Sequence, residues 1–155
     1  YSQAGLKLLE QGVRKGTGII AKALKVHRAP EPSVIGTELG ANRNIHAMID
    51  VSDGLSSELW HIAKESNVSI NVFSGKIDTD SDLQKLSCKL DSDVEEIIFG
   101  SGEEYALLFT AAPEWKNRYN CIEIGYVSGG GVQVFRIGVN GKKTALSKTG
   151  YNHLA

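Results

Sequence analysis

The pattern of hydrophobic and polar residues predicts helices followed by a buried strand in the first third of the chain. Residues 2–25 place apolar side chains at helical spacing, and glycines near the middle are expected to split the segment into two helices. A connector rich in proline and glycine follows at 26–44. The short apolar run at 46–51 then predicts a buried strand.

An amphipathic helix after this strand is the clearest element in the sequence. Leucine, isoleucine and alanine recur on one of its faces, and Ser52 or Asp53 is expected to cap its first turn. Residues 68–73 alternate apolar and polar side chains, which is typical of a strand. Two short helices are expected at 80–87 and 92–98.

Strands are predicted for most of the last third of the chain. Apolar runs at 105–110 and 121–126 and the alternating segment 132–139 favour strands. The pair Asn140-Gly141 is a strong hairpin signal, so residues 142–146 are expected to pair back on the preceding strand. Helices and strands that alternate irregularly, with hairpins near the end, predict an α+β fold with a mixed or antiparallel sheet flanked by helices.

Composition and charge limit the kinds of function. The 155 residues carry a net charge of -1, which provides neither a basic field for nucleic acid nor a cationic face for an anionic membrane. No apolar run approaches the ~20 residues that span a bilayer. Cys88 and Cys121 match no zinc or redox spacing and are expected to be reduced thiols of a cytoplasmic protein.

The turn after the first strand has the most suggestive chemistry. Asp50 ends the strand, Ser52 follows on the same side, and Asp53 lies beside them before Gly54. Two carboxylates and a hydroxyl suit Mg²⁺, and the N-terminus of the next helix offers N–H groups to a phosphate oxygen. Spacing alone leaves open the alternative that Asp53 only caps the helix and Asp50 bonds to the turn.

Two further segments can contact a ligand. Glu103 and Glu104 follow a glycine turn and precede a strand, where one carboxylate can face a cleft; the alternative is a solvated turn. Tyr151 can stack on a planar heterocycle, or can simply pack on the surface. The sequence contains no P-loop and no Ser-His-Asp or Cys-His set, so no catalytic nucleophile is predicted.

Four segments together show a family resemblance by their order and spacing. They are 48–55 with 58–63, which contain Asp50-Val51-Ser52-Asp53-Gly54, then 102–110, 124–127 and 150–153. They resemble thiamine-monophosphate kinase, of the aminoimidazole ribonucleotide synthetase-like superfamily. The resemblance implies that residues 1–155 are the single C-terminal domain of a two-domain protein, without its N-terminal ATP-binding and dimerisation domain. The abrupt start at Tyr1 also suggests a fragment of a longer chain.

The resemblance also implies a reaction and roles for individual residues. The γ-phosphoryl group of ATP would pass to thiamine monophosphate, giving thiamine diphosphate, with Mg²⁺ bridging the phosphates. Asp50 and Asp53 would ligate Mg²⁺, and Ser52 would contact an ATP phosphate. Glu103, rather than its neighbour, and Tyr151 would hold the thiamine moiety. The full-length protein is expected to be a cytoplasmic homodimer, and the isolated domain is expected to be inactive.

Two departures from the family pattern keep other functions open. Ser33 stands where the family commonly has arginine, and Ala106 stands where an acidic residue is usual. One alternative is an ATP-dependent enzyme of the same superfamily with another small-molecule substrate. The other is a non-catalytic binding or assembly domain.

Overall fold

A computed structural model describes residues 1–77, 81–115, 119 and 121–148. The helices in these ranges are α1 (Ser2–Glu10), α2 (Gly18–Arg28), α3 (Gly36–Gly40), α4 (Leu55–Glu65), α5 (Ser74–Ile77), α6 (Ser81–Lys89) and α7 (Val94–Gly100). The strands are β1 (Ile45–Asp50), β2 (Ser69–Phe73), β3 (Leu107–Ala111), β4 (Gly125–Ser128), β5 (Gln133–Ile137) and β6 (Lys143–Ala145). No described helix is long and apolar enough to cross a membrane.

The strands form two separate sheets. β1 and β3 pair as an antiparallel ribbon in which Asp50 lies opposite Leu107. The larger sheet has the order β4-β2-β5-β6, with β2 parallel to β5 and antiparallel to β4. β6 returns antiparallel on β5 across the Asn140-Gly141 turn, as the hairpin signal predicted. The α+β fold with a mixed and antiparallel sheet arrangement flanked by helices is therefore confirmed.

Helix α4 is fixed between the larger sheet and the ribbon. Its buried residues Leu59, Ile62 and Ala63 belong to one apolar cluster with side chains of β2, β5 and α7. Ile49 and Leu108 of the ribbon pack against the same cluster. Burying each large aliphatic side chain contributes roughly 1.5–3 kcal/mol, so this cluster holds the start of α4 next to the end of β1.

A second apolar cluster joins the helices on the other side of α7. Its buried residues come from α1, α2, α6 and α7 and from the position directly after α6. They are Ala4, Leu8, Ala23, Leu24, Leu83, Leu86, Leu90 and Ile97. α1 and α2 are separate helices, as the glycines between them predicted. Because α7 contributes to both clusters, the α1–α2 pair is connected through it to the layer that contains α4.

Tertiary contacts moved several boundaries away from those predicted. The connector at 26–44 contains the end of α2 and the short helix α3, neither of which local composition indicated. The strand expected at 121–126 begins only at Gly125, where the chain comes into register with β2. Ser69 and Asn71, the polar residues of the alternating pattern, are buried, where the Ser69 hydroxyl donates to the Gly131 carbonyl and the Asn71 amide donates to the Ser128 hydroxyl.

Candidate functional site

The turn between β1 and α4, residues 50–54, lies at one end of the ribbon. Asp50 is exposed at the last position of β1, and Ser52 and Asp53 are half-buried. Among the described residues, neither the Asp50 nor the Asp53 carboxylate has a hydrogen-bond or ion-pair partner. Both carboxylates are therefore available to a cation or a ligand.

Gly54, and not an acidic residue, is the N-cap of α4. Its φ of 119° and ψ of 144° are disfavoured for residues with a side chain, and no side chain caps the helix. A Cβ atom on Gly54 would lie 3.2 Å from the backbone of Phe99 and Gly100. The expectation that Ser52 or Asp53 caps α4 is therefore wrong, because this close approach of two backbones requires glycine. The alternative that Asp53 serves only as a helix cap is wrong for the same reason.

Glu58 fixes the backbone of this turn from inside the protein. It lies in the first part of α4 and is only 2% exposed. One of its carboxylate oxygens accepts a hydrogen bond from the Asp53 N–H group at 3.1 Å. A buried carboxylate is stable only when it is hydrogen-bonded, so this contact ties the turn to the helix. Sequence reasoning assigned Glu58 no role; it lies four residues after the N-cap, one more than the spacing of a capping box, so that local signal is absent.

A second turn, residues 100–105, packs directly against the first. The Glu103 N–H group donates to the Ser52 carbonyl at 2.7 Å, and the Tyr105 N–H group donates to the Val51 carbonyl at 3.1 Å. A Cβ atom on Gly102 would lie 2.5 Å from the Ser52 carbonyl oxygen, so only glycine fits. The two acidic motifs, far apart in the sequence, therefore form one surface.

The two neighbouring glutamates of this turn face different surroundings. Glu103 is exposed, and its carboxylate has no partner among the described residues. The Glu104 carboxylate accepts hydrogen bonds from the Ser2 N–H group and the Ser101 hydroxyl, both at 2.6 Å, and from the Tyr1 nitrogen at 2.5 Å. Burial raises the pKa of Glu104, and the hydrogen bonds from the Ser101 hydroxyl and the Ser2 N–H group lower it. Glu103 is thus the glutamate that is free to bind a ligand.

Two other segments approach the paired turns. The Ser33 N–H group donates to the Tyr105 carbonyl at 3.2 Å, which brings the connector after α2 to the second turn. The Ser56 hydroxyl donates to the Ser147 carbonyl at 2.9 Å, so the chain after β6 runs beside the first turn of α4. Tyr151, the third predicted ligand contact, lies outside the described residues.

The oxygen donors of the first turn suit a shared metal ion better than a closed metal site. Among the described residues, no group of three or more His, Cys, Asp or Glu side chains is arranged to hold a metal ion. Mg²⁺ usually binds one or two carboxylates and completes its shell with water and substrate phosphate oxygens. Asp50 and Asp53, with Ser52 between them, match that kind of partial donor set.

Known proteins similar in sequence are kinases of about twice this length. The chain is 34% identical to the thiamine-monophosphate kinase of Buchnera aphidicola and 33% identical to that of Bacillus subtilis. Each match covers 98% of this chain and 49% of the relative. The chain therefore spans about half the length of the curated relatives it matches. No protein-family model matches it.

Solved structures give the same result. The structure matches AaThiL complexed with AMPPCP and TMP at a TM-score of 0.80 and 30% identity, over 98% of this chain and 47% of that one. It also matches the thiamine monophosphate kinase of Aquifex aeolicus at a TM-score of 0.76 and 31% identity, over 92% and 47% of the two chains. The hydrogenase maturation protein HypE, at 17% identity and a TM-score of 0.64, shares the fold alone.

Proposed function

We propose, since the chain belongs to the thiamine-monophosphate kinase family, that it is the C-terminal domain of an ATP-dependent kinase that converts thiamine monophosphate to thiamine diphosphate. The packing of the 100–105 turn on the 50–54 turn is the observation that supports this most strongly. It brings a free carboxylate, Glu103, next to the free carboxylates of a strand-to-helix turn. One surface thus offers groups for a cationic substrate and groups for a metal-bound phosphate.

Asp50 and Asp53 are the proposed Mg²⁺ ligands. Their carboxylates are unpartnered among the described residues, and the buried Glu58 holds the backbone of their turn. Mg²⁺, when bound, neutralises the charge of the phosphates during transfer. Ser52 is the proposed contact to an ATP phosphate. Phosphoryl transfer depends on positioning and charge neutralisation, so the lack of a predicted nucleophile agrees with this reaction.

Glu103 and Tyr151 are the proposed contacts to the thiamine moiety. The thiazolium ring of thiamine carries a positive charge, which an exposed carboxylate stabilises and an aromatic face attracts. The Glu103 carboxylate faces solvent beside the first turn, which supports its part of this assignment.

The remaining half of the protein is proposed to complete the active site. The described residues provide only a partial donor set for Mg²⁺. We therefore expect the 155-residue chain to be inactive alone. Following the family resemblance, the full-length protein is proposed to be a cytoplasmic homodimer that binds ATP and thiamine monophosphate, with no nucleic-acid or membrane partner.

Replacement of the two aspartates in the full-length protein tests the metal assignment. Asp50→Asn and Asp53→Asn should each lower the rate of ATP consumption with thiamine monophosphate on the order of a hundredfold, because each removes a charged ligand of the Mg²⁺ that would neutralise the transferred group. Asp91→Asn is the matched control, since Asp91 is exposed in the turn after α6 and has a φ of 50° that asparagine also tolerates. If the first two variants bind Mg²⁺-ATP in calorimetry and turn over as the control does, the assignment is wrong.

A further inference from the structure

The backbone of the second turn is strained on both sides of Glu104. Glu103 has a φ of 55° and Tyr105 a φ of 49°, in the left-handed region that residues with a side chain rarely adopt. Two such residues within three positions persist only where the surrounding structure holds them, and such positions cluster at binding sites. The contacts that hold this turn therefore decide where the Glu103 carboxylate lies.

The turn is held on one side by backbone contacts with the first turn and on the other side by hydrogen bonds to the Glu104 carboxylate. The backbone hydrogen bonds to Ser52 and Val51 fix one side of the turn. On the other side, the Glu104 carboxylate accepts from the Ser2 N–H group at the start of α1 and from the Ser101 hydroxyl. These two donors do not involve the Tyr1 nitrogen, so they hold Glu104 without its contribution. Glu104 is thus a side-chain bridge from the strained turn to a helix.

The start of α1 is itself a rigid support. Ser2 is 2% exposed, and its hydroxyl lies 3.2 Å from Nδ1 of His27 on α2. A Cβ atom on Gly5 would lie 2.4 Å from the Ala23 carbonyl oxygen, so α1 and α2 pack backbone against backbone. A carboxylate at the N-terminus of a helix is also electrostatically favourable. Glu104 therefore connects the turn to a fixed pair of helices and not to a mobile loop.

We propose that Glu104 is a positioning residue: its carboxylate ties the 100–105 turn to α1 and so holds Glu103 in place for the substrate. The inference rests on the proposed function of that turn. Adjacent glutamates then have separate roles, in which Glu103 contacts the thiamine moiety and Glu104 sets its geometry. Loss of the Glu104 charge should weaken substrate binding although no group that touches the substrate is removed.

Steady-state kinetics on the full-length protein test this separation. Glu104→Gln should raise KM for thiamine monophosphate about tenfold, since both donors then meet a neutral amide oxygen and their hydrogen bonds lose the charge of the carboxylate. KM for ATP should stay unchanged. Ser101→Ala removes one donor to Glu104 and the acceptor of the Gln3 N–H group but keeps the carboxylate, so its effect should be smaller. Glu104→Asp should recover part of the loss. Ser101→Ala remains informative if Glu104→Gln fails to fold.

Amide hydrogen exchange separates failure of this proposal from failure of the proposed function. Glu104→Gln should speed exchange at the Glu103 and Tyr105 N–H groups, whatever the substrate is. A wild-type protein that consumes no ATP with thiamine monophosphate would overturn the function, and exchange would still decide the role of Glu104. Unchanged exchange and unchanged KM in folded Glu104→Gln would overturn the positioning role. An equal rise in KM for both substrates, with a lower thermal midpoint, would overturn it too, because that result indicates a merely structural residue.

Discussion

The two turns of the candidate site use their acidic side chains in different ways. The 50–54 turn presents charged side chains that have no partner in the described part of the chain, while its backbone is held by a glycine cap and the buried Glu58. The 100–105 turn presents one free carboxylate, and its strained backbone is held by the side chain of the next residue, Glu104. The comparison indicates that an acidic side chain in such a turn can either be left without a described partner or fix the backbone, and that hydrogen bonds from the protein distinguish the two cases.

The contact between the two turns should give the largest effect when it is broken. Gly102→Ala places a Cβ atom against the Ser52 carbonyl, which forces the turns apart. We expect a loss of about 1–3 kcal/mol in the free energy of unfolding, typical of overpacking, together with loss of activity. Gly129→Ala is the control, because a Cβ atom there would meet nothing within 4 Å. Urea unfolding of both variants measures the difference, and equal stabilities would contradict the close packing of the turns.

The buried support of the first turn should give the next largest effect. Glu58→Ala leaves the Asp53 N–H group without its acceptor and should lower the free energy of unfolding by about 1–3 kcal/mol. Glu65→Ala, at the exposed end of the same helix, is the matched control. Thermal unfolding should show a lower midpoint for the first variant only. If the Glu58 variant is as stable as the control, Glu58 does not support the turn, and the contrast between buried and exposed acidic residues is lost.

Glu103, the exposed acidic residue of the second turn, should affect substrate binding and leave stability nearly unchanged. Glu103→Gln removes an exposed carboxylate without a described partner, so stability should change by less than about 0.5 kcal/mol. Binding of thiamine monophosphate to the full-length protein should nevertheless weaken. Calorimetric titration beside a melting curve checks both halves of this expectation. A destabilised variant that binds normally would reverse the roles assigned to the two glutamates.

Local patterns in the sequence were sufficient for part of this site. The run that ends on Asp50 and the apolar face of the following helix predicted the strand-to-helix turn, because both periodicities are set by neighbouring residues. The Asn140-Gly141 signal predicted the β5–β6 hairpin for the same reason. These elements need little information from distant parts of the chain.

Features that depend on distant contacts were not predictable in the same way. Gly54 is the N-cap because the Phe99–Gly100 backbone passes within 3.2 Å of where its Cβ would be, which no local pattern reveals. Glu104 differs from Glu103 because α1, at the other end of the sequence, supplies its hydrogen-bond donors. The sequence thus predicted an acidic pair at this turn, and the tertiary structure shows that the two glutamates have different surroundings.

The register of the β1–β3 ribbon limits which insertions and deletions the site can tolerate. Asp50 pairs with Leu107 at the end where the first turn begins and the second turn ends, and the irregularity of the ladder lies at the opposite end, between Ile45 and Ala47. A one-residue insertion near Leu107 would turn alternate side chains to the other face and shift one turn past the other by about 3.4 Å. The same insertion near Ile45 falls where the pairing is already irregular. Length variation among related chains should therefore collect at the far end of the ribbon and be rare beside the two turns.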